Sequence, residues 1–351
     1  MRILFITQKI DKRDAVLGFV HGWLHAFSRC FEKITAVCLE KGEYDLPTNV
    51  EVFSLGKEKK VSRLGYLLNF YKIIWRERKK YDAVFVHMNP EYVILGWLFW
   101  KLSGKKVVLW YNHTFGDWRA RLAFLLADTI CHTSPYAFSA GRKESVRMPA
   151  GVDTDLFEAR GSLSRKENSI LSLGRISPVK KIDILLQACL LLQKEAVSFF
   201  LDIVGKAPEH DSLYERKVKE LALPLLSSGK AVFRGEVSNS EAPKLFSESV
   251  ISINLTPKGN YDKTVIEAMA SGAIPIVSSI AFKELIPDEL ICKENDPKDL
   301  AEKIKMVFGW GDERRRNAAA AFRRLATERE SLSKLTEKLV ELFENLTPHS
   351  R

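Results

Sequence analysis

A chain of 351 residues, 46% hydrophobic and 28% charged, has the makeup of an ordered globular protein of about two ordinary domains, which excludes a disordered or fibrous chain. The net charge of +10 and pI of about 9.2 ask for an anionic counterpart: a substrate, a membrane surface or nucleic acid. No RNA-binding aromatic motif, helix-turn-helix or zinc spacing accompanies the charge, so no nucleic-acid partner is expected.

Residues 3–7 predict a first strand, because the apolar run is too short for a signal peptide and charged residues follow from Lys9. Residues 16–31 predict a helix with Val20, Leu24, Phe27 and Phe31 on one face; 34–39 and 50–55 predict strands. Gly18 falls in the loop or first turn after the opening strand. Residues 57–80 are basic and amphipathic together. Lys57, Lys59, Lys60, Arg63, Lys72, Arg76, Arg78, Lys79 and Lys80 share the stretch with Leu64, Leu67, Leu68, Phe70, Tyr71, Ile73, Ile74 and Trp75. Such a helix either packs on the sheet with its cations in water or lies on an anionic bilayer. Residues 92–102 are apolar nearly all round but too short to span a bilayer, which takes about 20 residues, so a buried or interfacial helix is expected.

Residues 83–87 and 106–111 are continuous apolar strands, the kind a parallel sheet buries on both faces. His113 stands just past the second, and Ser134 just past a further strand at 129–133; 146–148 completes the first sheet. Binding and reacting side chains collect at such carboxyl ends, although a lone histidine is by itself most simply structural. Residues 158–168, polar and broken by Gly161 and Ser162, predict a linker. The alternation then restarts, with strands at 170–173, 199–204, 231–233, 250–255 and 274–277. Helices are predicted at 182–192, 213–223 and 264–271, and the pattern is helical after 299. Cys30, Cys38, Cys131, Cys189 and Cys292 form no CxxC pair and mostly lie in apolar runs, which predicts buried thiols and a reducing, cytoplasmic setting.

The stretch from Asn254 to Val277 is the most informative: strand, glycine-containing loop, helix, strand, the helix stopped by Gly272. The bare N-terminus expected for this helix suits an anion such as phosphate. Glu267, one turn in, fits either a capping box with Thr264 or a carboxylate that accepts ribose hydroxyls.

Three segments carry a family resemblance. Val265-Ile-Glu-Ala-Met-Ala-Ser-Gly-Ala-Ile-Pro-Ile-Val277 resembles the donor-site segment of the family-4 (group 1) retaining glycosyltransferases of the GT-B fold. Gly174-Arg-Ile-Ser-Pro-Val-Lys-Lys-Ile-Asp183 resembles their Gly-Arg-x-x-x-x-Lys loop, and Pro149-Ala-Gly-Val-Asp-Thr-Asp-Leu-Phe157 their inter-domain segment. The resemblance is dense from Met148 to Leu300 and thin before it. It implies an α/β chain of two Rossmann-like, doubly wound domains facing across a cleft. Residues 1–157 would bind the acceptor, 158–168 link, 169–330 bind the nucleotide-sugar donor, and 331–351 form a helix crossing back to the first domain. The implied activity is a retaining hexosyl transfer from a nucleotide-diphosphate sugar to a glycan, lipid-linked or protein-linked acceptor, in cell-envelope polysaccharide or glycoconjugate assembly. The implied place is the cytoplasm, with residues 57–80 available to an anionic membrane surface.

By position in the family's motifs, Arg175 and Lys180 would meet the diphosphate, Glu267 the ribose and His113 the donor sugar. Gly174, Gly205, Gly235 and Val237 match donor-side turns, and the helix start at Thr264 and Val265 faces the diphosphate; Ser134 joins this donor-binding set. Gly18 matches a turn where the family usually has two glycines. Gly259 is a departure, since the family places a second acid there, eight positions before Glu267, in contact with the donor sugar. Asp262 and Lys263 are near enough in sequence to stand in for it, or Asp262 only caps the helix.

The chemistry must stabilise an oxocarbenium-like sugar and a diphosphate leaving group. Fixed cations such as Arg175 and Lys180 are worth about 10²–10³ each in rate. No metal or cofactor is expected, because these cations and the helix start already face the diphosphate. Asp153-Thr-Asp155 has the spacing of the metal-binding DxD of the GT-A architecture, but in this segment it is read as capping and loop structure. A sugar-nucleotide epimerase of the same fold and a non-catalytic nucleotide-sugar-binding protein are the competing readings.

Overall fold

The computed structural model describes residues 1–14, 16–158 and 165–346. The chain divides into two compact units, Met1–Gly151 with Leu332–Arg351, and Val152–Ser331. Residues 152–157 therefore belong with the second unit, whereas the sequence expectation placed them in the first. Most of the expected linker, residues 159–164, lies outside the described residues, as do residues 347–351.

The first unit runs β1 (Arg2–Ile10), α1 (Phe19–Phe27), β2 (Lys33–Lys41), β3 (Val50–Ser54), α2 (Arg63–Arg76), β4 (Ala83–His87), α3 (Pro90–Leu102), β5 (Lys106–Trp110), α4 (Trp118–Leu126), β6 (Thr129–His132) and β7 (Ser145–Arg147). Its strands pair in parallel in the order β3-β2-β1-β4-β5-β6-β7. The second unit follows with β8 (Ser169–Leu173), α5 (Ile182–Lys194), β9 (Phe200–Val204), α6 (Ser212–Ser227), β10 (Ala231–Gly235), α7 (Ala242–Glu248), β11 (Ile251–Asn254), α8 (Lys263–Ala270), β12 (Ile274–Val277), α9 (Pro297–Phe308) and α10 (Asp312–Leu325). Its five strands are also parallel, in the order β10-β9-β8-β11-β12. Each sheet thus reverses its direction of growth once, between β1 and β4 in the first and between β8 and β11 in the second. Such a point opens a crevice at the strands' carboxyl ends.

The two-residue period of β1 builds both cores of the first unit. Ile3 and Phe5 face Trp23, Leu24 and Phe27 of α1, while Leu4 and Ile6 face Phe70 and Ile74 of α2 and Trp100 of α3. The last helix, α11 (Leu332–Leu346), belongs to the first of these cores. Leu335, Leu339 and Phe343 recur at helical spacing and are fully buried, with Phe343 edge-on to Phe31 at 6.0 Å. The crossing at Gly151 is fixed just as tightly. Its carbonyl accepts from Trp23 Nε1 at 2.7 Å, its φ is +68°, and an added Cβ would lie 2.3 Å from Leu335.

Four elements differ from expectation. The helix predicted over 16–31 is only α1, because Asp14 Oδ1 accepts from the amides of Val16 and Leu17 and holds them in a turn before it. At its other end Cys30 N bonds back to Phe27 O, tightening the chain so that Phe31 enters the core. The basic stretch 57–80 is broken by left-handed Lys60, and α2 begins afresh with Ser62 Oγ accepting from Gly65 N. Helices α4 and α7 were not foreseen; α7 is only seven residues long and α4 carries apolar residues all round.

Candidate functional site

The expected residues of the second unit collect at the carboxyl edge of its sheet. Gly174 follows β8, Gly205 follows β9 and Gly235 ends β10. Gly174 N bonds to Val204 O at 2.9 Å and Gly205 N to Gly235 O at 2.7 Å, so the three turns are laced together. At one of them the close approach of backbone demands glycine. At Gly205, φ is +140° and a Cβ would stand 1.9 Å from the Gly174 carbonyl oxygen. Val237 is half-buried in the loop after β10.

Lys180 ends a 3₁₀ turn, Pro178–Lys180, and lies under Gly174, where an added Cβ would stand 2.9 Å from its Nζ. Its ammonium forms an ion pair and hydrogen bond with Asp262 Oδ2. The pair spans the point between β8 and β11 where the sheet reverses. Arg175 on the same loop is exposed, and among the described residues its guanidinium pairs with no carboxylate.

Asp262 does two jobs. It is the N-cap of α8, with Oδ1 accepting from Thr264 N at 3.2 Å and from Thr264 Oγ1 at 3.1 Å, while Val265 N bonds to its carbonyl. The helix start is therefore not bare as expected, and the capping box from Thr264 to Glu267 does not form, because Asp262 takes the capping position itself. Asn254, at the end of β11, donates to Thr264 Oγ1 at 2.9 Å and accepts from Thr256 Oγ1 at 2.7 Å, wiring strand to loop to helix. Gly259 sits in that loop with φ +90°.

The charges of this edge are strongly displaced. Burial would raise Asp262, but the Lys180 ammonium holds it down at about 2. Burial pushes Glu267 up to about 7, with the Asp262 carboxylate adding to the rise. Burial pushes Lys263 down to about 7 against the pull of Glu267, Glu330 and Asp262. Among the described residues the Glu267 side chain has no hydrogen-bond donor. A desolvated carboxylate without a donor is costly, and such groups mark ligand sites.

Two residues that sequence reasoning missed complete the edge. Tyr261 Oη donates to Glu330 Oε1 at 2.8 Å, and both side chains are buried. Nothing local in the helical run around Glu330 signals this partner.

In the first unit, His113 lies in the segment after β5, against the rings of Tyr111 at 5.2 Å and Phe115 at 5.8 Å. It keeps an exposed edge, and partial desolvation lowers its pKa. Ser134 is buried after β6, its amide and that of Thr133 bonded to Asn112 Oδ1. Gly18 precedes α1, and a Cβ there would stand 2.4 Å from Asp14 O, so the turn itself requires the glycine. Asp153 Oδ1 accepts from Leu156 N at 3.0 Å, a turn cap. Among the described residues no cluster of His, Cys, Asp and Glu is placed to hold a metal.

Residues 167–309 match the family model described as glycosyl transferases group 1. These residues form a group 1 glycosyltransferase domain. The domain contains the Gly174 loop, Lys180, Asp262 and Glu267, and ends before Glu330. A search of curated proteins gives no match to the chain. Among solved structures, Anabaena HepE, crystallised with UDP and glucose, aligns with TM-score 0.78 at 16% identity, over 98% of this chain and 99% of its own. A glycosyltransferase from Rickettsia africae gives 0.77 at 16% identity, over 99% of each chain. Sucrose-phosphate synthase from Thermosynechococcus elongatus gives 0.76 at 16% identity, again over 99% of each. At such identities the likeness speaks for the fold, which is GT-B.

The raised pKa of Glu267 has a consequence for the glycosyltransferase domain's stability. Its carboxyl ionises near 4.5 in the unfolded chain and near 7 in the fold, so between these values the native state binds more protons and stability falls as pH rises. Glu267→Gln should therefore raise the unfolding temperature by an increment that grows from pH 4.5 to 7 and is level above. Thermal scans across pH check this; an increment that does not change with pH would contradict the buried ionisation.

Proposed function

We propose that this protein transfers a hexosyl group, with retention, from a nucleotide-diphosphate sugar to a glycan, lipid-linked or protein-linked acceptor of the cell envelope. The observation that carries the reading is the carboxyl edge between β8 and β11, where the Lys180–Asp262 pair acts on Glu267, a carboxylate without a hydrogen-bond donor among the described residues, and Arg175 stands exposed on the Lys180 loop. In this reading Glu267 accepts the ribose hydroxyls, and Arg175, Lys180 and Lys263 meet the diphosphate. An arriving diphosphate favours the charged form of Lys263, which burial alone holds near neutrality. Asp262 stands in for the acid absent at Gly259 and lies against the donor sugar. His113 keeps the donor-facing role that the resemblance implies.

The C1–O bond to the leaving phosphate breaks as the acceptor oxygen bonds C1 on the same face, and the acceptor proton passes to the leaving phosphate oxygen. Arg175 and Lys180 are already charged and in place as charge builds on the diphosphate, with Lys263 joining them once the donor binds, so no metal is required. HepE, crystallised with UDP and with UDP-glucose, makes a UDP-sugar the first donor to try.

The test is turnover of UDP-, GDP- and ADP-sugars by the full chain in the presence of EDTA. Arg175→Ala and Lys180→Ala should each lower turnover by about 10² or more. Arg175 is the cleaner variant, because losing Lys180 also leaves Asp262 unpaired. Near-wild-type turnover in both sinks the assignment. Activity that returns only with Mg²⁺ or Mn²⁺ contradicts the metal-free mechanism, and acceptor-independent epimer formation selects the epimerase.

We also propose that the enzyme works at an anionic membrane surface. No described helix is long and apolar enough to cross a membrane. In α2, however, Leu64, Leu68, Tyr71 and Trp75 are exposed on one stripe, and in α3 Leu98 and Leu102 are exposed, Leu102 at 80%. The helices meet where Trp75 packs on Phe99 at 5.7 Å and Tyr71 Oη donates to Leu95 O. Of the nearby cations, Lys57, Arg76 and Lys80 pair with Glu40 and Glu77, while Lys72 and Lys79 are exposed beside the stripe. Sedimentation with vesicles containing phosphatidylglycerol should be strong at low salt and weaken as screening shortens to about 8 Å at physiological ionic strength. Leu68→Glu with Trp75→Glu should abolish it. Binding that is absent, or indifferent to both salt and the substitutions, counts against the proposal.

A further inference from the structure

The loop joining β11 to α8 is held from three sides. Ser278 Oγ donates to Thr256 O at 2.8 Å and Ser279 Oγ to Asn260 O at 2.7 Å, both from the segment after β12. The third hold is the bond from Tyr261 to Glu330, which comes from the π-helical turn Ala326–Glu330 at the end of α10. The Tyr261 ring also lies 4.4 Å from that of Phe282, so the side chain has little freedom. Only 6% of Glu330 is exposed. A carboxylate at that depth needs a donor and a cation to remain ionised. Tyr261 supplies the donor, and the Glu330 carboxylate in turn draws Lys263, two positions further on, toward its charged form.

Lys263 is faced by three carboxylates: Asp262 and Glu267 on its own element, and Glu330 on the turn packed against α8. The other elements packed against α8 add little. β11 and β12 carry no titratable group, Lys244 and Glu248 of α7 pair with each other, and Arg323 of α10 bonds to Ala270 O at the far end of the helix. Glu330 has one more attachment. Its carbonyl accepts from Val152 N at 3.0 Å, and Val152 and Ser331 form a parallel bridge, so Glu330 sits on the two segments by which the chain enters and leaves the unit.

We infer that Glu330 is a positioning residue of the donor site, which fixes the 256–262 loop through Tyr261 and keeps the Lys263 ammonium charged for the donor diphosphate. The inference rests on the donor reading given above. It assigns a task to a residue outside the segment that matches the group 1 family.

The test follows the Lys263 amine directly, by trace acetylation of the full-length protein across pH with mass-spectrometric readout. It is paired with calorimetric binding of UDP, GDP and ADP. In the wild-type protein the Lys263 midpoint should lie near 7. Glu330→Gln keeps an oxygen for Tyr261 but removes the charge, and should move the midpoint about one pH unit toward acid. The affinity of whichever nucleoside diphosphate binds should then fall at pH 8 and hold at pH 6. Tyr261→Phe should leave the midpoint in place and weaken diphosphate binding about fivefold at every pH. Should Glu330→Gln fail to fold, Glu330→Asp, which keeps the charge but shortens the reach, should hold the midpoint and behave as Tyr261→Phe. A midpoint unmoved by Glu330→Gln, with only thermal stability lost, overturns the inference and leaves the donor reading standing. Failure of the wild-type protein to bind any of the three nucleotides removes the donor reading and the positioning role together.

Discussion

Lys180 and Asp262 meet across the gap where the second sheet changes direction, and the neighbouring charges take their state from that meeting. Without the ammonium, Asp262 would be a half-buried carboxylate at the head of α8, costly to keep ionised. With it, Asp262 stays charged, caps the helix and places a negative field beside Glu267. The lysine in turn is pressed under Gly174, whose missing side chain makes the room. One ion pair thus ties the loop after β8 to the loop after β11, the two loops that bound the crevice.

Around this pair the edge of the sheet is built against its own stability. Glu267 is desolvated with no donor for its carboxylate, and Lys263 is desolvated until its proton is held only near neutrality. A protein selected for stability alone would exchange such groups for apolar ones at little loss, and sites that keep them usually do so for a ligand. A sugar diphosphate has the complementary parts, hydroxyls for the carboxylate and negative charge for the ammonium. The surrounding backbone is held rigidly by Asn254, Thr256, Ser278 and Ser279.

What was legible in the sequence was local. The parallel strands appear as continuous apolar runs, the strand-end glycines as breaks after them, and the Val265–Val277 segment as a family motif, so the GT-B fold followed. The residues that collect at the sheet edge stood at predictable strand ends. What was not legible depends on contacts between distant positions. Lys180 and Asp262 are 82 residues apart, Tyr261 and Glu330 are 69, and neither pair leaves a periodic trace. The cap of α8 stayed open between Thr264 and Asp262 because both are good caps, and only the structure shows Asp262 in the extended backbone a cap requires. The first helix was drawn too long because Asp14 holds the following amides in a turn, a side-chain choice that competes with helix.

The central claim is that the second unit binds a nucleoside diphosphate through this edge. It is tested most directly by following the unfolding of the protein while screening uridine, guanosine and adenosine mono- and diphosphates and their sugars. One base series should stabilise the fold in its diphosphate and sugar-diphosphate forms, by about 2.7 kcal/mol at one hundred times the dissociation constant, with the monophosphate much weaker. Stabilisation by none of the three series, or equal stabilisation by mono- and diphosphate, would contradict the account.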